Sequence, residues 1–156
     1  MRLDGVRIER ADFGDPWLAD FLQAHLDDMA PTAPPESRHA LDLSGLQAPG
    51  VRVWVGTIAD EIAVTGALAA IESAHEEVKS MRVAPGHRGQ GLARIMLGRL
   101  VEDARERGIA RLSLETGSMA YFAPAHRLYR AAGFVECPPF GSYLLDPNSI
   151  FLTRAV

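Results

Sequence analysis

The feature that most constrains the fold is a glycine-containing segment, Arg88-Gly89-Gln90-Gly91-Leu92-Ala93, which lies where the hydrophobic periodicity changes. Residues 77–83 have the pattern of a strand, and Ala84-Pro85-Gly86 ends that strand. Apolar residues then recur at helical spacing, at Leu92, Met96, Leu100 and Ala104. We therefore expect a strand, a tight loop and an amphipathic helix in direct succession.

The rest of the chain supplies further strand and helix patterns. Asp15-Pro16 provides a capping residue and a proline at the first helical position, which predicts a helix over residues 16–29. The other expected elements are strands over residues 6–8, 51–57, 62–71, 77–83, 111–115, 134–135 and 150–153, and helices over 92–104 and 124–132. A connector at 32–37 and a short helix over 39–43 are interpreted as a surface lid. This order predicts one α/β (α+β) domain over residues 1–156, with helices packed against a mixed sheet.

Composition restricts the class of protein. The 156 residues suit one domain, and no apolar run approaches the roughly 20 residues that a membrane-spanning helix needs. The N-terminus lacks the apolar core of a signal peptide, so a cytoplasmic location is expected. One cysteine, Cys137, rules out an intramolecular disulfide and leaves no cysteine cluster for a metal. A net charge of -4 lacks the basic excess of a nucleic-acid binder, so no nucleic-acid partner is expected.

The segment 88–93 has the chemistry of an anion site. Its two glycines remove side chains that would keep a phosphate from the backbone, and the first N–H groups of the following helix are free to bind it. Arg88 adds a positive charge near the positive end of the helix dipole, so a pyrophosphate fits. The alternative is a glycine-rich turn that only reverses the chain. The spacing is not that of the dinucleotide-binding Gly-x-Gly-x-x-Gly, and no Gly-Lys-Ser or Gly-Lys-Thr is present.

This segment resembles the signature of the GCN5-related N-acetyltransferase (GNAT) superfamily, which is Arg or Gln, two residues, Gly, one residue, and Gly or Ala. Arg88, Gly91 and Ala93 match that signature. Further matches in the family's order are the strand 78–83, Leu128-Tyr129 and Gly133-Phe134, and the resemblance covers residues 51–134.

A narrower resemblance, over nearly the whole chain, is to a bacterial subgroup of small acetyltransferases, some of them named for indoleacetate acetylation. The shared pieces are Pro34-Pro35-Glu36-Ser37, His39-Ala40-Leu41, Lys79-Ser80-Met81-Arg82, Leu114-Glu115-Thr116-Gly117-Ser118-Met119 and Asp146-Pro147-Asn148-Ser149.

The resemblance implies a GNAT fold, with a mixed, mostly antiparallel sheet of six to seven strands, about four helices and a splayed central strand pair. It implies an acetyl-CoA-dependent N-acetyltransferase without a metal, which moves an acetyl group to a primary amine of a small molecule, amino acid or peptide by direct attack in a ternary complex. The contacts it implies for coenzyme A are Met81, Arg82 and Val83 beside the pantetheine arm, and Arg88, Gly89, Gln90, Gly91, Leu92 and Ala93 around the pyrophosphate.

The tyrosine of the Leu-Tyr pair is commonly the family's proton donor, which makes Tyr129 the expected catalytic acid. Core packing is the alternative, because Ala125, Leu128, Tyr129 and Ala132 form one apolar stripe of the predicted helix. The sequence departs from the family at Phe122, since many members have an asparagine seven residues before the tyrosine. The contact that this asparagine makes with the cofactor is therefore not expected in this chain.

Glu115 is the expected general base, because it lies at the end of a predicted strand where the family's sheet opens to admit substrate. An ion pair with Arg82 or Arg111 is an equal alternative. Glu76 and Glu77 are weaker candidates, because a charged run that enters a strand is usually a solvated edge.

Acceptor contacts are expected from Ser37, His39 and Glu115, since the lid covers the acceptor site in this fold and loops often carry functional side chains. Caps and turns are the alternative roles for Ser37 and His39. His25 lies on the apolar face of its helix and is interpreted as a core residue. Prolines at 138–139 and 147 indicate an irregular sheet edge, through which a homodimer is one expectation.

Two other functions remain open. One is a GNAT domain that binds acyl-CoA as a sensor or interaction module without efficient catalysis. The other is an unrelated nucleotide-binding α/β protein, which the absence of the two nucleotide motifs disfavours.

Overall fold

The structure of the protein is a computed structural model that describes residues 2–3 and 5–156, with side chains from Gly5 onward. The strands in this part of the chain are β1 (Arg2–Leu3), β2 (Val6–Arg10), β3 (Val51–Ile58), β4 (Glu61–Glu72), β5 (His75–Val83), β6 (Arg111–Gly117), β7 (Val135–Glu136) and β8 (Ser149–Ala155). The α-helices are α1 (Pro16–Met29), α2 (Leu43–Leu46), α3 (Leu92–Glu106) and α4 (Ala123–Ala131). No helix among these described residues is long and apolar enough to cross a membrane.

Local sequence determines where α1 and α2 begin. The Asp15 side chain accepts a hydrogen bond from the Trp17 N–H at 2.9 Å, so α1 has the predicted bounds of 16–29. The Asp42 side chain accepts from the Gly45 N–H at 2.8 Å and caps α2. The short lid helix therefore begins after Asp42, and its expected position at 39–43 is wrong. The other predicted elements lie within two residues of the expected bounds at each end.

All eight strands of the described chain form one sheet in the order β1-β2-β3-β4-β5-β6-β8-β7. Every neighbouring pair is antiparallel except β5 and β6, which run parallel. The predicted class, a mixed and mostly antiparallel sheet with helices packed against it, is confirmed. The sheet exceeds the expected six to seven strands because the two-residue β1 adds an edge strand next to β2.

Helices cover both faces of the sheet. Neighbouring residues of β4 point to opposite faces, and Leu68 packs in the core under α3 while Ala67 packs in a second core under α1. Gly66 allows α3 to come close to the sheet, because a Cβ at this position would lie 2.8 Å from Met96 Cγ and 2.9 Å from Met81 Sδ. Strand β4 is therefore the centre of a three-layer arrangement.

The parallel pair β5 and β6 is hydrogen-bonded along only part of its length. His75, Glu76 and Glu77 pair with Arg111, Leu112 and Ser113, and no further pairs follow. We call this paired part the closed end, and residues 78–83 with 114–117 the open end. The splayed central strand pair that the family resemblance implied is therefore confirmed.

An ionic network fills the closed end. Arg107, the residue that caps the C-terminus of α3, donates to both carboxylate oxygens of Glu76, at 2.6 and 2.9 Å, and to Asp103 at 2.9 Å. Arg52 also donates two hydrogen bonds to Asp103. The Glu76 side chain is buried, so the expectation that it lies at a solvated edge is wrong. A helix that is distant in sequence supplies the arginine that makes this burial tolerable.

Candidate active site

A cavity of about 150 Å³ lies in the open end, where β5 and β6 have separated. We call it the inner cavity. The residues that line it include five of the predicted site residues, Ser37, His39, Met81, Glu115 and Tyr129. The structure therefore brings the expected acid, the expected base and the expected acceptor contacts to one place.

Tyr129 of α4 is both packed and accessible to the inner cavity. Its ring is 7% exposed and forms an edge-to-face contact with Phe134, with 5.8 Å between the ring centroids. Its hydroxyl makes no hydrogen bond with the described part of the chain. Burial raises the pKa of this phenol, so the hydroxyl keeps its proton at neutral pH. The packing alternative is correct for the ring, but it leaves the hydroxyl available as a donor.

Glu115 of β6 has no ion-pair partner among the described residues. Arg82 pairs with Asp28 at 2.7 Å, and Arg111 donates to the Thr153 hydroxyl at 3.0 Å, so the alternative that either arginine pairs with Glu115 is wrong. Burial raises the pKa of the Glu115 carboxyl. The Ser149 hydroxyl offsets part of this increase, although its Oγ lies outside hydrogen-bonding geometry. Glu115 is thus a desolvated carboxylate with the pKa direction that suits a general base.

A polar cluster that sequence reasoning missed lies beside the inner cavity. Lys79 donates to the His39 carbonyl oxygen at 3.0 Å, to the Tyr143 hydroxyl at 3.0 Å and to Glu77 Oε2 at 3.2 Å. The Tyr143 hydroxyl donates to the same oxygen of Glu77. The Glu77 side chain is buried, so its expected place at a solvated edge is also wrong. Tyr143 lies 66 residues from Glu77 in the chain, and no local pattern connects them.

The lid is tied to the segment before β8. Ser37 Oγ donates to Asp146 Oδ2 at 2.5 Å, and the Asn148 side-chain amide reaches Ser37 Oγ at 3.4 Å. The His39 ring meets the Tyr143 ring edge-on, with 4.9 Å between centroids. Ser37 and His39 therefore line the inner cavity and also hold two distant loops together.

Two further side chains of the inner cavity complete its wall. His25 of α1 lines the cavity, which its interpretation as a plain core residue did not include. Burial is the main cause that lowers the pKa of His25 to about 4, and the nearby Arg82 charge adds to it, so the ring is neutral at pH 7. Phe122 also lines the cavity and supplies the apolar surface at the position where the family has its asparagine.

The predicted phosphate loop has the geometry of an anion site. Gly89 and Gly91 adopt φ values of 80° and 77°, and nothing lies within 4 Å of a Cβ built on Gly89. The first intrahelical hydrogen bond runs from the Ile95 N–H to the Gly91 carbonyl, which leaves the preceding amides of α3 free. No acidic residue lies in this first turn. The backbone therefore fits a pyrophosphate, and the exposed Arg88 supplies positive charge.

Three other residues predicted to contact coenzyme A are less accessible through their side chains. The Leu92 side chain is buried in the main core, and Val83 packs against that core. The Arg82 side chain faces α1, where it pairs with Asp28 and lies over the Phe21 ring. For these three residues, the backbone atoms are therefore the groups that remain available to bind a cofactor. No group of three or more His, Cys, Asp or Glu side chains in the described ranges could hold a metal ion.

The sheet opens between two parallel strands, and the loop that leads into α3 directly follows one of them, β5. The sequence model of the acetyltransferase (GNAT) family matches residues 8–134, and the chain belongs to this family. It is therefore an acetyltransferase, as the family resemblance implied. Members of the family take the acetyl group from acetyl-CoA.

Relatives and solved structures agree with this assignment. The chain is 44% identical to the uncharacterized N-acetyltransferase YsnE of Bacillus subtilis, over 96% of this chain and 99% of YsnE. It is 38% identical to a protein of Azospirillum brasilense named IAA acetyltransferase, over 88% and 87% of the two chains. A crystal structure from Klebsiella pneumoniae, named as an acyl-CoA N-acyltransferase, has a TM-score of 0.79 and 30% identity, and covers 96% of this chain and 97% of its own.

Proposed function

We propose that this protein transfers an acetyl group from acetyl-CoA directly to a primary amine of a small molecule, amino acid or peptide in a ternary complex. The observation that carries the proposal is that two titratable side chains without bonding partners in the described chain line the same cavity. Glu115 has no ion-pair partner among the described residues, the Tyr129 hydroxyl has no hydrogen-bond partner there, and both line the inner cavity. Titratable groups whose pKa values are perturbed by burial, and which line a cavity, are candidates for catalysis.

The chain offers coenzyme A two kinds of backbone contact. The amides that begin α3 and the open loop at Gly89 and Gly91 suit its pyrophosphate, with Arg88, Gln90, Leu92 and Ala93 completing the loop. The edge of β5 at Met81, Arg82 and Val83 has no strand paired with it on the β6 side and suits the pantetheine arm. When bound, acetyl-CoA supplies an acetyl group that its thioester already activates.

The two catalytic residues then have opposite tasks. Glu115, as a carboxylate, takes the proton that the amine nitrogen loses as it bonds to the acetyl carbon. Tyr129, as a protonated phenol, donates a proton to the departing sulfur. The apolar ring of Phe122 and the neutral His25 help to exclude water and competing charge from the same space.

The test is a thiol-release assay with acetyl-CoA and a panel of amines, amino acids and peptides. Positioned acid and base groups typically contribute about 10²–10⁴-fold, so Tyr129→Phe and Glu115→Gln are each expected to lower kcat by a factor in that range. Tyr121→Phe is the matched control, because Tyr121 is exposed and is not part of the wall of the inner cavity. Its kcat should equal that of the wild type.

A specific result would contradict the proposal. If calorimetry shows that acetyl-CoA binds but no acceptor in the panel is turned over, the chain acts as an acyl-CoA-binding module. Equal kcat values for Tyr129→Phe, Glu115→Gln and the wild type would remove both residues from the mechanism while leaving the transferase activity itself in place.

A further inference from the structure

A second, open cavity of about 980 Å³ lies beside the inner cavity, between the lid and the segment before β8. We call it the outer cavity. The two cavities share part of their linings, namely the five residues Ser37, His39, Glu77, Lys79 and Asn148. Because these residues form a shared wall, a molecule whose reactive end lies beside Glu115 can have the rest of its body in the outer cavity.

The wall of the outer cavity combines exposed apolar side chains with polar ones. Ile71, Phe140, Leu144 and Leu145 contribute to its wall. Leu144 and Leu145 are 83% and 86% exposed, so almost all of their apolar surface is in contact with water. The Phe140 ring is held by edge-to-face contacts with Tyr143 and Phe151, which keeps one side of the wall rigid. An apolar group that occupied this space would remove much of that surface from water, which favours binding.

The charged groups of the outer cavity disfavour a carboxylate ligand. Its described wall contains three acids, Glu36, Glu77 and Asp146, and one full cation, Lys79. An ammonium group has three N–H donors, and Lys79 directs its three donors at the His39 carbonyl, the Tyr143 hydroxyl and Glu77. Lys79 therefore has no donor left for a ligand carboxylate.

Two of the acids, Glu77 and Asp146, contact the shared wall of the two cavities. Asp146 accepts hydrogen bonds from the Ser37 hydroxyl and from the Asn148 N–H, which favour its charged form. Glu77 accepts through Oε2 from Lys79 and Tyr143. Arg38, which lines the inner cavity but not the outer one, donates its Nε to the Ala33 carbonyl. Negative charge at the shared wall attracts an ammonium group.

We propose that the outer cavity holds the apolar body of the acceptor and that the acceptor is a primary alkylamine or arylalkylamine without a carboxylate. This inference rests on the proposed function and narrows it. The ammonium passes Glu77 and Asp146 to reach Glu115, while the apolar body lies against Phe140, Leu144 and Leu145. The ammonium first loses one proton to water. The neutral nitrogen then bonds to the acetyl carbon and gives a second proton to Glu115, the carbon–sulfur bond breaks, and coenzyme A leaves as the thiol with the proton from Tyr129.

Three acceptors that differ by one group each test the inference in the thiol-release assay. Phenethylamine has the ammonium and the apolar body, phenylalanine adds a carboxylate, and ethylamine lacks the aromatic body. We expect kcat/KM for phenethylamine to exceed both others by about tenfold or more, because one well-placed group changes selectivity by that order. A value for phenylalanine that equals or exceeds it would overturn the inference, and so would an equal value for ethylamine.

Binding separates failure of this inference from failure of the proposed function. In calorimetry with coenzyme A present, phenethylamine is expected to bind more tightly than 3-phenylpropionate, which carries a carboxylate in place of the amine. If no acceptor is turned over, the proposed function fails, but this binding order still decides the inference. Equal binding, tighter binding of the carboxylate, or binding of neither compound would overturn it.

A double variant, Leu144→Ser with Leu145→Ser, tests the apolar wall directly. Both side chains are exposed, so their replacement leaves the core intact. The KM for phenethylamine should rise about tenfold, which lowers the preference for phenethylamine over ethylamine, while the KM for acetyl-CoA stays constant. Trp17→Ser is the matched control, since Trp17 is 74% exposed and lines neither cavity. An unchanged preference for phenethylamine over ethylamine in the double variant would overturn the inference.

Discussion

The two ends of the β5–β6 pair differ in whether their buried titratable side chains have charged partners. At the closed end, Glu76 and Asp103 are buried and both receive charged hydrogen bonds from Arg107. At the open end, Glu115 is desolvated without an ion-pair partner in the described chain, and the Tyr129 hydroxyl has no hydrogen bond. Burial is common to both ends, so burial alone does not indicate a catalytic group. The open end differs because its desolvated groups face a cavity, which makes them candidates for catalysis.

The difference follows from the sheet itself. Where the strands are hydrogen-bonded, side chains from α3 reach across them and complete the ionic network. Where the strands separate, backbone edges and side chains face a cavity instead of a neighbouring element. Residues at the open end can therefore keep donors and acceptors for a substrate, while the closed end supplies the stability that tolerates them.

The largest expected effect comes from breaking the closed end. Arg107→Met keeps most of the side-chain volume but leaves Glu76 without its partner and removes one of the two that Asp103 has. We expect the free energy of unfolding to fall by about 3–5 kcal/mol, the usual cost of removing one partner of a buried ion pair. Urea denaturation of the variant and the wild type measures this loss.

Glu115→Gln is the matched comparison at the open end. Because Glu115 has no ion pair among the described residues, its replacement should not lower the free energy of unfolding at pH 7. If both Arg107→Met and Glu115→Gln lower the free energy of unfolding by the same amount, the ion pairs at the closed end do not make it more sensitive to substitution than the open end.

The next prediction concerns the pH dependence of Glu115. Its pKa is raised in the folded protein, so its stabilising contribution is fully present below the unfolded pKa of about 4.3 and is lost as the pH rises through the folded value. Wild type and Glu115→Gln should therefore be similar in stability at about pH 4, and the variant should become the more stable of the two at neutral pH. Urea denaturation at both pH values tests this order.

The same residue should control the acid limb of activity. As the general base, Glu115 must be unprotonated, so kcat/KM should rise with pH around a midpoint above the ordinary glutamate value. In Glu115→Gln, kcat/KM should fall by about 10²-fold or more, or about 2.7 kcal/mol in the barrier, and this limb should disappear. A limb that persists in the variant would assign the base to another residue.

A smaller effect is expected at the phosphate loop. Gly91 begins α3 with φ at 77°, a left-handed conformation that costs an alanine roughly 1–2 kcal/mol. Gly91→Ala should lower the free energy of unfolding by about that amount. It should also raise the KM for acetyl-CoA, because the strained loop changes the direction of the free N–H groups at the start of α3.

Gly98→Ala is the control for that loop. Gly98 lies within α3, has nothing within 4 Å of a built Cβ and has no positive φ. Alanine is the better helix former, so this variant should gain up to about 1 kcal/mol and keep the KM for acetyl-CoA. Equal changes in both glycine variants would mean that the loop conformation has no part in cofactor binding.

Local signals predicted the elements and the loop correctly. The helix over 16–29 followed from Asp15 and Pro16, and the position of the loop before α3 followed from two glycines between a strand and a helix. Both depend on backbone preferences within a few residues, which a single sequence shows. The identification of Tyr129 required the family resemblance as well, because its spacing alone is equally typical of a core tyrosine.

The acceptor side could not be predicted because its contacts are long-range. Tyr143 reaches Glu77 across 66 positions, and Ser37 reaches Asp146 across 109. No periodicity or spacing relates residues that are so distant, and the tertiary packing of irregular segments decides which of them meet. Glu76 and Glu77 were misjudged for the same reason, since their partners come from α3 and from the segment before β8.

The smallest effect that we predict tests one of these long-range contacts. Ser37→Ala removes the hydrogen bond to Asp146 and should lower the free energy of unfolding by about 1 kcal/mol. Ser44→Ala is the control, because Ser44 is exposed in α2 and its change should have an effect within about 0.5 kcal/mol. Since Ser37 joins the lid to the wall of the outer cavity, the KM for the amine should rise while the KM for acetyl-CoA stays constant. A rise in both KM values, or in neither, would mean that the lid contact serves the whole fold and not the acceptor, and the open end would then owe its selectivity to the apolar wall alone.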